Sequence, residues 1–388
     1  MRNENIICIS NTSWFGKYAK STVQLLERLA IDNRVLFVEY PFTWKDIYAT
    51  LRGYQQAPVK RMLGLDNRLT EIVTGSGSKV YNLVVPPNLP LFFLKNEALF
   101  NLFFPINAFI YKAAVRKAIR KLKFSNPIVI TAFNPIYGNA LVRKFSEKKH
   151  IYYCYDGVES VFFGKRIFGI EESFMQKVDA IITTSDYLKA DKQRFNSNCF
   201  VVKNGVDFPV FHKYAKKDIY NQVPKKVGFI GSLDPRFDIE TVEYAVKTLF
   251  NFIFEFTGDM RNSKMKSTLE KYSNVRFFDP VQPNDVPQLL AQYDVGIIPY
   301  IMNEVNKNIY PLKINEYLAV GVPVVMNAFA TLPEFDGIVS VAKNKEDFVA
   351  LLQWEVDNDT KENVAKRIAF AQLNSWDERT KQFSNYLM

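Results

Sequence analysis

The chain has 388 residues, more than one ordinary hydrophobic core accommodates, so its length predicts two domains. Its 48% hydrophobic and 23% charged residues are typical of a globular protein, and its most apolar stretch, Ala98–Tyr111, is too short and interrupted to predict a membrane span. Residues 1–205 carry 29 Lys+Arg against 16 Asp+Glu, so this half predicts an anionic partner, whether membrane, nucleic acid or acidic acceptor.

The N-terminal half alternates short apolar runs with helical patterns. Asn5–Ser10 and Arg34–Glu39 are typical of buried strands, and Ser21–Ala30 between them has a helical pattern. Three helix–strand pairs follow: AAVRKAIRKLKF with PIVITAF, GNALVRKFSEKK with HIYYCYD, and IEESFMQKV with DAIITTS. This order predicts a doubly wound parallel sheet. The N-terminus lacks the features of a signal peptide, and the unpaired spacing of Cys8, Cys154 and Cys199 predicts buried, reduced thiols.

A second α/β series follows a polar stretch without clear pattern. We expect a linker at residues 206–225, a second Rossmann-like domain at 226–360, and a helical segment at 361–388 that returns to the first domain. The predicted fold class is therefore α/β, with two Rossmann-like domains facing each other across a cleft. Ligands of such sheets favour the carboxyl ends of the strands.

The segment NIYPLKINEYLAVGVPVV, residues 308–325, carries the clearest chemistry. Pro311 can begin a helix whose first N–H groups are free to bind an anion such as a diphosphate. Lys313 adds a full positive charge, and Glu316 lies one turn further, where a carboxylate can accept hydrogen bonds from a vicinal diol. The same pattern also suits an ordinary amphipathic helix with both charges solvated.

This segment resembles PLKxxEYLAxGxPVV of the bacterial family-4-like (group 1) glycosyltransferases of the GT-B fold, in a subgroup similar to teichuronic-acid-type enzymes. KVGFIGSL, FEFTGD, NVRFFDPVQPNDVPQLLAQYDVGIIPY and VVKNGVD resemble further family segments in the expected order. The resemblance covers about residues 150–388 well and the first 150 more loosely. It implies metal-independent transfer with retention from a nucleotide diphosphate-sugar, which is a substrate and not a permanently bound cofactor.

Carried over to this chain, the resemblance implies that Glu316 binds the donor ribose while Lys313 and nearby N–H groups face the diphosphate. Arg236 is the second candidate cation, although relatives usually have Lys–Gly after this loop. Asn308 stands where many relatives have a sugar-contacting glutamate, a difference that we interpret as a subgroup feature. The predicted donor site comprises Gly231, Ser232, Val281, Asn308, Pro311, Leu312, Lys313 and Glu316.

The N-terminal half supplies the acceptor candidates. The loop NTSWFGK follows the first strand, and its residues Asn11, Trp14 and Gly16 are predicted to bind acceptor or phosphate. Asp156, at the end of a strand, is the candidate group for polarising an acceptor hydroxyl, with helix or turn capping as the alternative role. Lys313 and Arg236 complete the predicted catalytic set. Neither His150 nor His212 is well positioned, and no metal site is predicted.

A basic helical stretch indicates membrane contact. Its cations are Lys112, Arg116, Lys117, Arg120 and Lys121, and it follows an aromatic segment. Tyr111, Val115, Ile119 and Leu122 form its apolar stripe, which could equally pack on the sheet. We therefore expect a cytoplasmic enzyme at the inner face of the membrane, with a lipid-linked glycan acceptor and no nucleic-acid partner.

The predicted function is sugar transfer (EC 2.4, hexosyltransferase type) in bacterial surface polysaccharide synthesis. Two alternatives stay open at this point: a sugar-nucleotide 2-epimerase of the same fold, and a catalytically silent sugar-nucleotide-binding subunit.

Overall fold

The computed structural model describes residues 1–16, 20–158, 166–216 and 223–388. The chain divides into two units. Unit 1 contains residues 1–203 and 380–388, and unit 2 contains residues 204–379. The predicted linker at 206–225 is therefore placed differently: Val206 and Phe211 are buried in the core of unit 2, and residues 217–222 lie outside the described residues.

Unit 1 is built on an eight-stranded sheet with the order β3-β4-β2-β1-β5-β6-β7-β8. Its strands are β1 Asn5–Ser10, β2 Arg34–Val38, β3 Leu69–Val73, β4 Lys79–Leu83, β5 Ile128–Ala132, β6 Lys149–Cys154, β7 Ala180–Thr183 and β8 Cys199–Val201. Its helices are α1 Ser21–Asp32, α2 Trp44–Leu51, α3 Val59–Leu63, α4 Glu97–Leu122, α5 Pro135–Leu141, α6 Arg166–Met175 and α7 Asp186–Lys192. All pairings are parallel except that of β3 with β4.

Unit 2 has a six-stranded parallel sheet with the order β11-β10-β9-β12-β13-β14, the strand order of a Rossmann fold. Its strands are β9 Lys226–Ile230, β10 Ile253–Thr257, β11 Val275–Phe278, β12 Val295–Ile298, β13 Val324–Asn327 and β14 Ser340–Ala342. Its helices are α8 Phe208–His212, α9 Ile239–Thr248, α10 Ser263–Leu269, α11 Val286–Leu290, α12 Leu312–Ala319, α13 Lys345–Asp357 and α14 Lys361–Leu373. The order reverses between β9 and β12, where the loops that follow these strands can diverge to form a crevice.

The C-terminal segment forms two helices, α14 and α15 (Trp376–Leu387), separated at Asn374 and Ser375. α14 belongs to unit 2, and only residues 380–388 belong to unit 1. In unit 1, Phe383 contacts the Tyr153 ring edge-on, and Tyr386 stacks on Phe200 with ring centroids 4.2 Å apart. The aromatic end of α15 is thus part of the packing of unit 1.

The prediction of a helix over GNALVRKFSEKK is wrong. α5 ends at Leu141, and Arg143 and Ser146 adopt left-handed backbone conformations with φ of 61° and 53°. The Glu147 carboxylate stabilises this turn because it accepts hydrogen bonds from the backbone N–H groups of Arg143 and Phe145. Burial alone would raise the Glu147 pKa, but its hydrogen bonds, including that from His150, hold it at about 2.

The residues that interrupt the apolar stretch Ala98–Tyr111 lie within one continuous helix. α4 runs through Pro105 for 26 residues. Phe104, before Pro105, and Tyr111, after it, both contact the Tyr137 ring, so packing on both sides of Pro105 compensates for the missing backbone hydrogen bond. By length and composition α4 could cross a membrane, and 22% of its most apolar window is buried in the structure.

All three cysteines are free and buried, as predicted. Burial raises the pKa of the Cys199 thiol to about 11, and those of Cys8 and Cys154 are raised further.

Candidate donor and acceptor sites

The first turn of α12 lies after the 3₁₀ turn Asn306–Asn308, with Pro311 as its N-cap. Pro311 has φ of −70° and ψ of 118°, the extended backbone conformation that is typical of an N-cap residue. Leu312 and Lys313 are the first two helical residues, so their N–H groups precede any intrahelical acceptor. Ile314 and Tyr317 are buried. This burial fixes one face of α12 against the sheet and leaves Lys313 and Glu316, one turn apart, on the partly accessible face.

Lys313 lies against the end of β9. Its Nζ is 5.3 Å from the centroid of the Phe229 ring, a cation–π contact. A Cβ atom at Gly231 would lie 2.4 Å from Lys313 Cε and 2.6 Å from Nζ, and Gly231 has φ of +147°. The absence of a side chain at Gly231 therefore provides the space in which the Lys313 ammonium lies. The structure thus brings together Gly231, Leu312 and Lys313 of the predicted site.

A second glycine, which the sequence prediction did not include in the site, supports this loop. Gly258 follows β10 with φ of +148°, and a Cβ there would lie 1.8 Å from the carbonyl oxygen of Gly231. The Gly231 N–H donates to the backbone carbonyl of Thr257 at 2.8 Å, and the Leu233 N–H donates to the backbone carbonyl of Asp259 at 3.0 Å. The Gly–Asp that ends FEFTGD was the sequence signal for this role.

Arg236 is engaged by an acid from its own loop. Its guanidinium forms two charge-assisted contacts with Asp234, at 2.9 Å from Nε and 2.6 Å from Nη2, and lies over the Tyr300 ring at 5.4 Å. Burial raises the pKa of Asp234, but the hydrogen bonds and charge of Arg236 outweigh burial and leave that pKa below its ordinary value. A diphosphate would therefore share Arg236 with Asp234. The neighbouring Ser232 is partly buried.

Glu316 is partly buried, and this raises the pKa of its carboxyl, while the charge of Lys313 acts in the opposite direction. Val281 is also partly buried, in the loop between β11 and α11. The backbone of Asn308 ends the 3₁₀ turn, but its side chain lies outside the described part of the structure. These three positions keep their roles as predictions.

In unit 1, the loop after β1 is fixed by buried polar groups. The Asn11 N–H donates to the backbone carbonyl of Ala132, the last residue of β5, at 3.2 Å. β1 and β5 are the neighbouring strands between which the strand order of this sheet reverses. The Trp14 N–H donates to both carboxylate oxygens of Glu39, at 3.1 and 3.2 Å. Glu39 is 2% exposed and also accepts from Asn82 at 2.7 Å. Glu39, the acid at the end of the apolar run RVLFVE, was missed by the sequence prediction.

Two of the predicted loop residues differ in what they offer a ligand. The Trp14 ring is buried and packs edge-on against Phe37 at 5.1 Å, so it stabilises the loop instead of presenting a stacking surface. Gly16 has φ of +156°, and a Cβ there would lie 2.9 Å from Lys20 Nζ. Lys20 donates to the carbonyls of Ser13 and Phe15, so this ammonium holds the loop closed. Lys17 lies outside the described residues.

Asp156 follows β6, at the carboxyl edge of the sheet. Its carboxylate accepts from the Gly157 N–H at 2.8 Å, and its carbonyl accepts from the Cys154 thiol. The first contact is the turn-capping geometry that the sequence left as an alternative to catalysis. Asp156 is partly exposed.

The comparisons with known proteins bear first on unit 2. Residues 224–358 match the family model described as "Glycosyl transferases group 1". We refer to this matched region as the group 1 domain. The group 1 domain thus contains β9 to β14, the two close-approach glycines and the start of α12.

A relative with similar sequence is TuaH of Bacillus subtilis (strain 168), whose name assigns it to teichuronic acid biosynthesis as a glycosyltransferase. It is 31% identical over 176 residues, which cover 43% of this chain and 44% of TuaH. The matched region thus spans less than half of either protein. The two alternatives to a transferase, an epimerase and a silent binding subunit, are not favoured by this relative.

Solved structures share the fold across 99% of this chain. A trehalose-6-phosphate protein from E. coli bound with UDP-2-fluoro glucose has a TM-score of 0.70, 10% identity and 99% of its own chain covered. The N-terminal domain of Candida albicans trehalose-6-phosphate phosphatase has a TM-score of 0.69 and 10% identity, with 96% of its own chain covered. A UDP-forming trehalose-phosphate synthase from Burkholderia xenovorans has a TM-score of 0.69 and 11% identity, with 98% of its own chain covered. The predicted GT-B class, with two Rossmann-like α/β domains including the group 1 domain, is confirmed.

Outside the group 1 domain, the structure of α4 shows where the predicted apolar stripe Tyr111, Val115, Ile119 and Leu122 lies. Tyr111 and Val115 are fully buried, and Ile119 and Leu122 pack against the same core, so the predicted apolar stripe belongs to the interior of unit 1. The exposed apolar side chains lie earlier in the helix. They are Leu99, Leu102, Phe103, Ile106 and Phe109, with exposed fractions of 39–66%.

Proposed function

We propose that this protein transfers a sugar from a nucleotide diphosphate-sugar to a hydroxyl of a glycan or lipid-linked glycan in the synthesis of a bacterial surface polysaccharide. The observation that carries the proposal is the contact between the Lys313 ammonium and the side-chain-free turn at Gly231, beside the first amides of α12. The group 1 match to this domain and the name of TuaH support it. The sugar nucleotide named with the E. coli structure agrees with such a donor.

In this proposal the donor binds at the carboxyl edge of the unit 2 sheet. When the bond between the sugar and the diphosphate breaks, the leaving diphosphate gains negative charge. Lys313 and the N–H groups of Leu312 and Lys313 are already oriented there, so they stabilise the transition state more than the bound substrate. Arg236 contributes through the exposed side of its guanidinium. Glu316 accepts hydrogen bonds from the ribose diol and so fixes the nucleoside.

The acceptor binds to unit 1 in this proposal. The loop Asn11–Gly16 supplies backbone groups to the acceptor, and Asp156 polarises the attacking hydroxyl. The new bond forms between the acceptor oxygen and the anomeric carbon, with retention of configuration, and the hydroxyl proton leaves to Asp156 or to the departing diphosphate. Neither a metal ion nor a permanently bound cofactor takes part in the proposed reaction.

We also propose that unit 1 binds the anionic inner face of the cytoplasmic membrane through α4. Its outward side is apolar over Ala98–Phe109 and basic from Lys112 onward, where Arg116, Lys117, Arg120 and Lys121 are exposed. The apolar part is about 18 Å long, shorter than the roughly 30 Å of a hydrocarbon core. Buried residues on the opposite face, from Phe100 to Ala118, attach α4 to the domain. These features favour a helix lying in the interface over one that spans it.

The function is tested by donor-dependent release of nucleoside diphosphate. The protein is incubated with a panel of nucleotide sugars, with and without bacterial membranes as acceptor, and release is quantified. We expect one donor to give release that membranes stimulate and that Lys313→Ala lowers strongly. Donor binding without release under any condition would favour the silent subunit, and a 2-epimerised free sugar nucleotide would favour the epimerase.

The membrane proposal is tested separately by vesicle sedimentation. Replacing Lys112, Arg116 and Arg120 by Gln is expected to reduce binding to anionic vesicles, because each surface cation contributes roughly 1 kcal/mol near an anionic leaflet. Lys264→Gln with Lys266→Gln, on exposed positions of α10, is the control. Equal loss in both variants would contradict a role for α4.

A further inference from the structure

A second exposed aromatic face lies on α2 of unit 1. Trp44, Tyr48 and Leu51 recur at spacings of four and three residues, which places them on one side of the helix, and Tyr54 lies three residues beyond the end of the helix. Their exposed fractions are 50%, 58%, 77% and 81%. We call these four residues the α2 aromatic face.

The folding of unit 1 does not use this face. Ile47 is the buried residue of α2, and it packs with Met62 and Val84. The start of the helix is stabilised by Asp46, whose carboxylate accepts from the N–H and the hydroxyl of Thr43 at 2.6 and 2.7 Å. The α2 aromatic face therefore remains accessible although its side chains are among the largest apolar groups in the chain.

The chemistry of the face matches a lipid–water interface. Trp and Tyr combine an apolar ring with a polar group and are enriched where membranes meet water. Lys45 and Arg52 are exposed on the same helix segment, and the Arg52 guanidinium lies 5.4 Å from the centroid of the Tyr48 ring. The acid of this segment, Asp46, is occupied by the helix cap. The cations thus complement an anionic lipid surface.

The α2 aromatic face is fixed relative to α4 by a short polar connection. The Trp44 N–H donates to the carbonyl of Asn88 at 3.1 Å. The adjacent Leu89 is held by the buried side chain of Asn107 on α4, which accepts from the Leu89 N–H at 2.8 Å and donates to its carbonyl at 2.9 Å. This connection fixes the position of α2 relative to α4 within unit 1.

We propose that the α2 aromatic face is a second membrane-contact element, inserted at the headgroup level of the same anionic bilayer that α4 binds. This inference rests on the proposed membrane contact of α4 and extends it to residues that carry aromatic anchoring instead of charge. A helix that anchors through Trp and Tyr fixes the depth and tilt of unit 1 at the bilayer, whereas the α4 cations supply attraction.

The test uses tryptophan fluorescence, because the chain provides a matched pair of reporters. Trp44 is 50% exposed on α2, and Trp354 is 52% exposed on α13 of unit 2. The full chain, Trp44→Phe and Trp354→Phe are each titrated with anionic vesicles whose acyl chains are brominated close to the headgroup. We expect the vesicles to quench the full chain and Trp354→Phe, with most of the quenching lost in Trp44→Phe. In sedimentation, Trp44→Ala with Tyr48→Ala should lower the partition coefficient by about tenfold or more.

The outcomes separate this inference from the proposals on which it depends. Vesicle binding with equal quenching in Trp44→Phe and the full chain would overturn the α2 element while leaving α4 in place. No vesicle binding by the full chain would overturn both membrane elements, while thermal shifts with nucleotide sugars would still report the donor site. Lipid-free dimerisation that Trp44→Ala abolishes would assign the face to a second copy of the chain and would also overturn the inference.

Discussion

Replacing Lys313 by Ala tests the electrostatic role of the α12 start. Lys313 is partly buried, and its ammonium lies over the Phe229 ring in the space that a side chain at Gly231 would fill. A phosphate oxygen in direct contact with such an ammonium places the two charges about 4 Å apart. At an effective dielectric constant of about 20, two unit charges at that distance interact by about 4 kcal/mol. The bound donor already carries much of its charge, and only the increase on bond breaking affects turnover. We therefore expect a loss of about 2–3 kcal/mol in transition-state stabilisation, or about 30- to 150-fold in kcat.

The assay is nucleoside diphosphate release at saturating donor, so that kcat is separated from donor affinity. Lys345→Ala is the matched control. Lys345 also lies in the first turn of a helix, α13, and its Nζ lies 5.5 Å from the centroid of the Tyr244 ring, but its partner is the exposed Glu240. We expect this control to retain wild-type turnover. A Lys313→Ala variant with kcat within threefold of the wild type would refute the reasoning.

Three further predictions concern titration and backbone packing. Because burial raises the Glu316 pKa, donor affinity measured by calorimetric titration should fall as the pH drops through a midpoint above the pKa of an ordinary glutamate. Lys313→Ala should move this midpoint to still higher pH, and Glu316→Gln should remove it. Gly258→Ala should lower the free energy of unfolding by about 2–4 kcal/mol in urea denaturation, whereas Gly337→Ala, with φ of +73° and open space around it, should cost about 1 kcal/mol. Because the Glu147 pKa is held at about 2, the ionised carboxylate should stabilise the protein by up to about 3 kcal/mol above pH 4.5 and by progressively less as the pH falls toward 2. Glu147→Gln should flatten this pH dependence of stability in acid denaturation.

Much of the fold follows from local pattern. Apolar runs such as Asn5–Ser10 and Lys226–Ile230 are buried central strands. They were predictable because a short run of apolar residues is itself the sequence signal of a buried strand. The start of α12 was predictable for the same reason, because Pro311 and the burial pattern act within a single turn. The extent of α4, in contrast, depends on a distant contact. Packing of Phe104 on Tyr137 carries α4 through Pro105, which no local rule anticipates.

The same distinction applies to the candidate sites. Lys313 and Gly231 are 82 positions apart, and only a family resemblance suggested that they belong together before the structure brought them into contact. The pairing of Arg236 with Asp234 was within reach of the sequence, since the two residues are two positions apart in one loop, but a charge count does not reveal which cations are already partnered. Glu39 and Gly258 were missed because their roles depend on loops from other strands.

The most direct test of the account is donor-dependent release of nucleoside diphosphate by the full chain, compared among the wild type, Lys313→Ala and Lys345→Ala. The account predicts release from one nucleotide sugar that is stimulated by acceptor membranes, lowered about 30- to 150-fold in Lys313→Ala and retained in Lys345→Ala. Release that Lys313→Ala and Lys345→Ala affect equally, or no release with any donor, would contradict it.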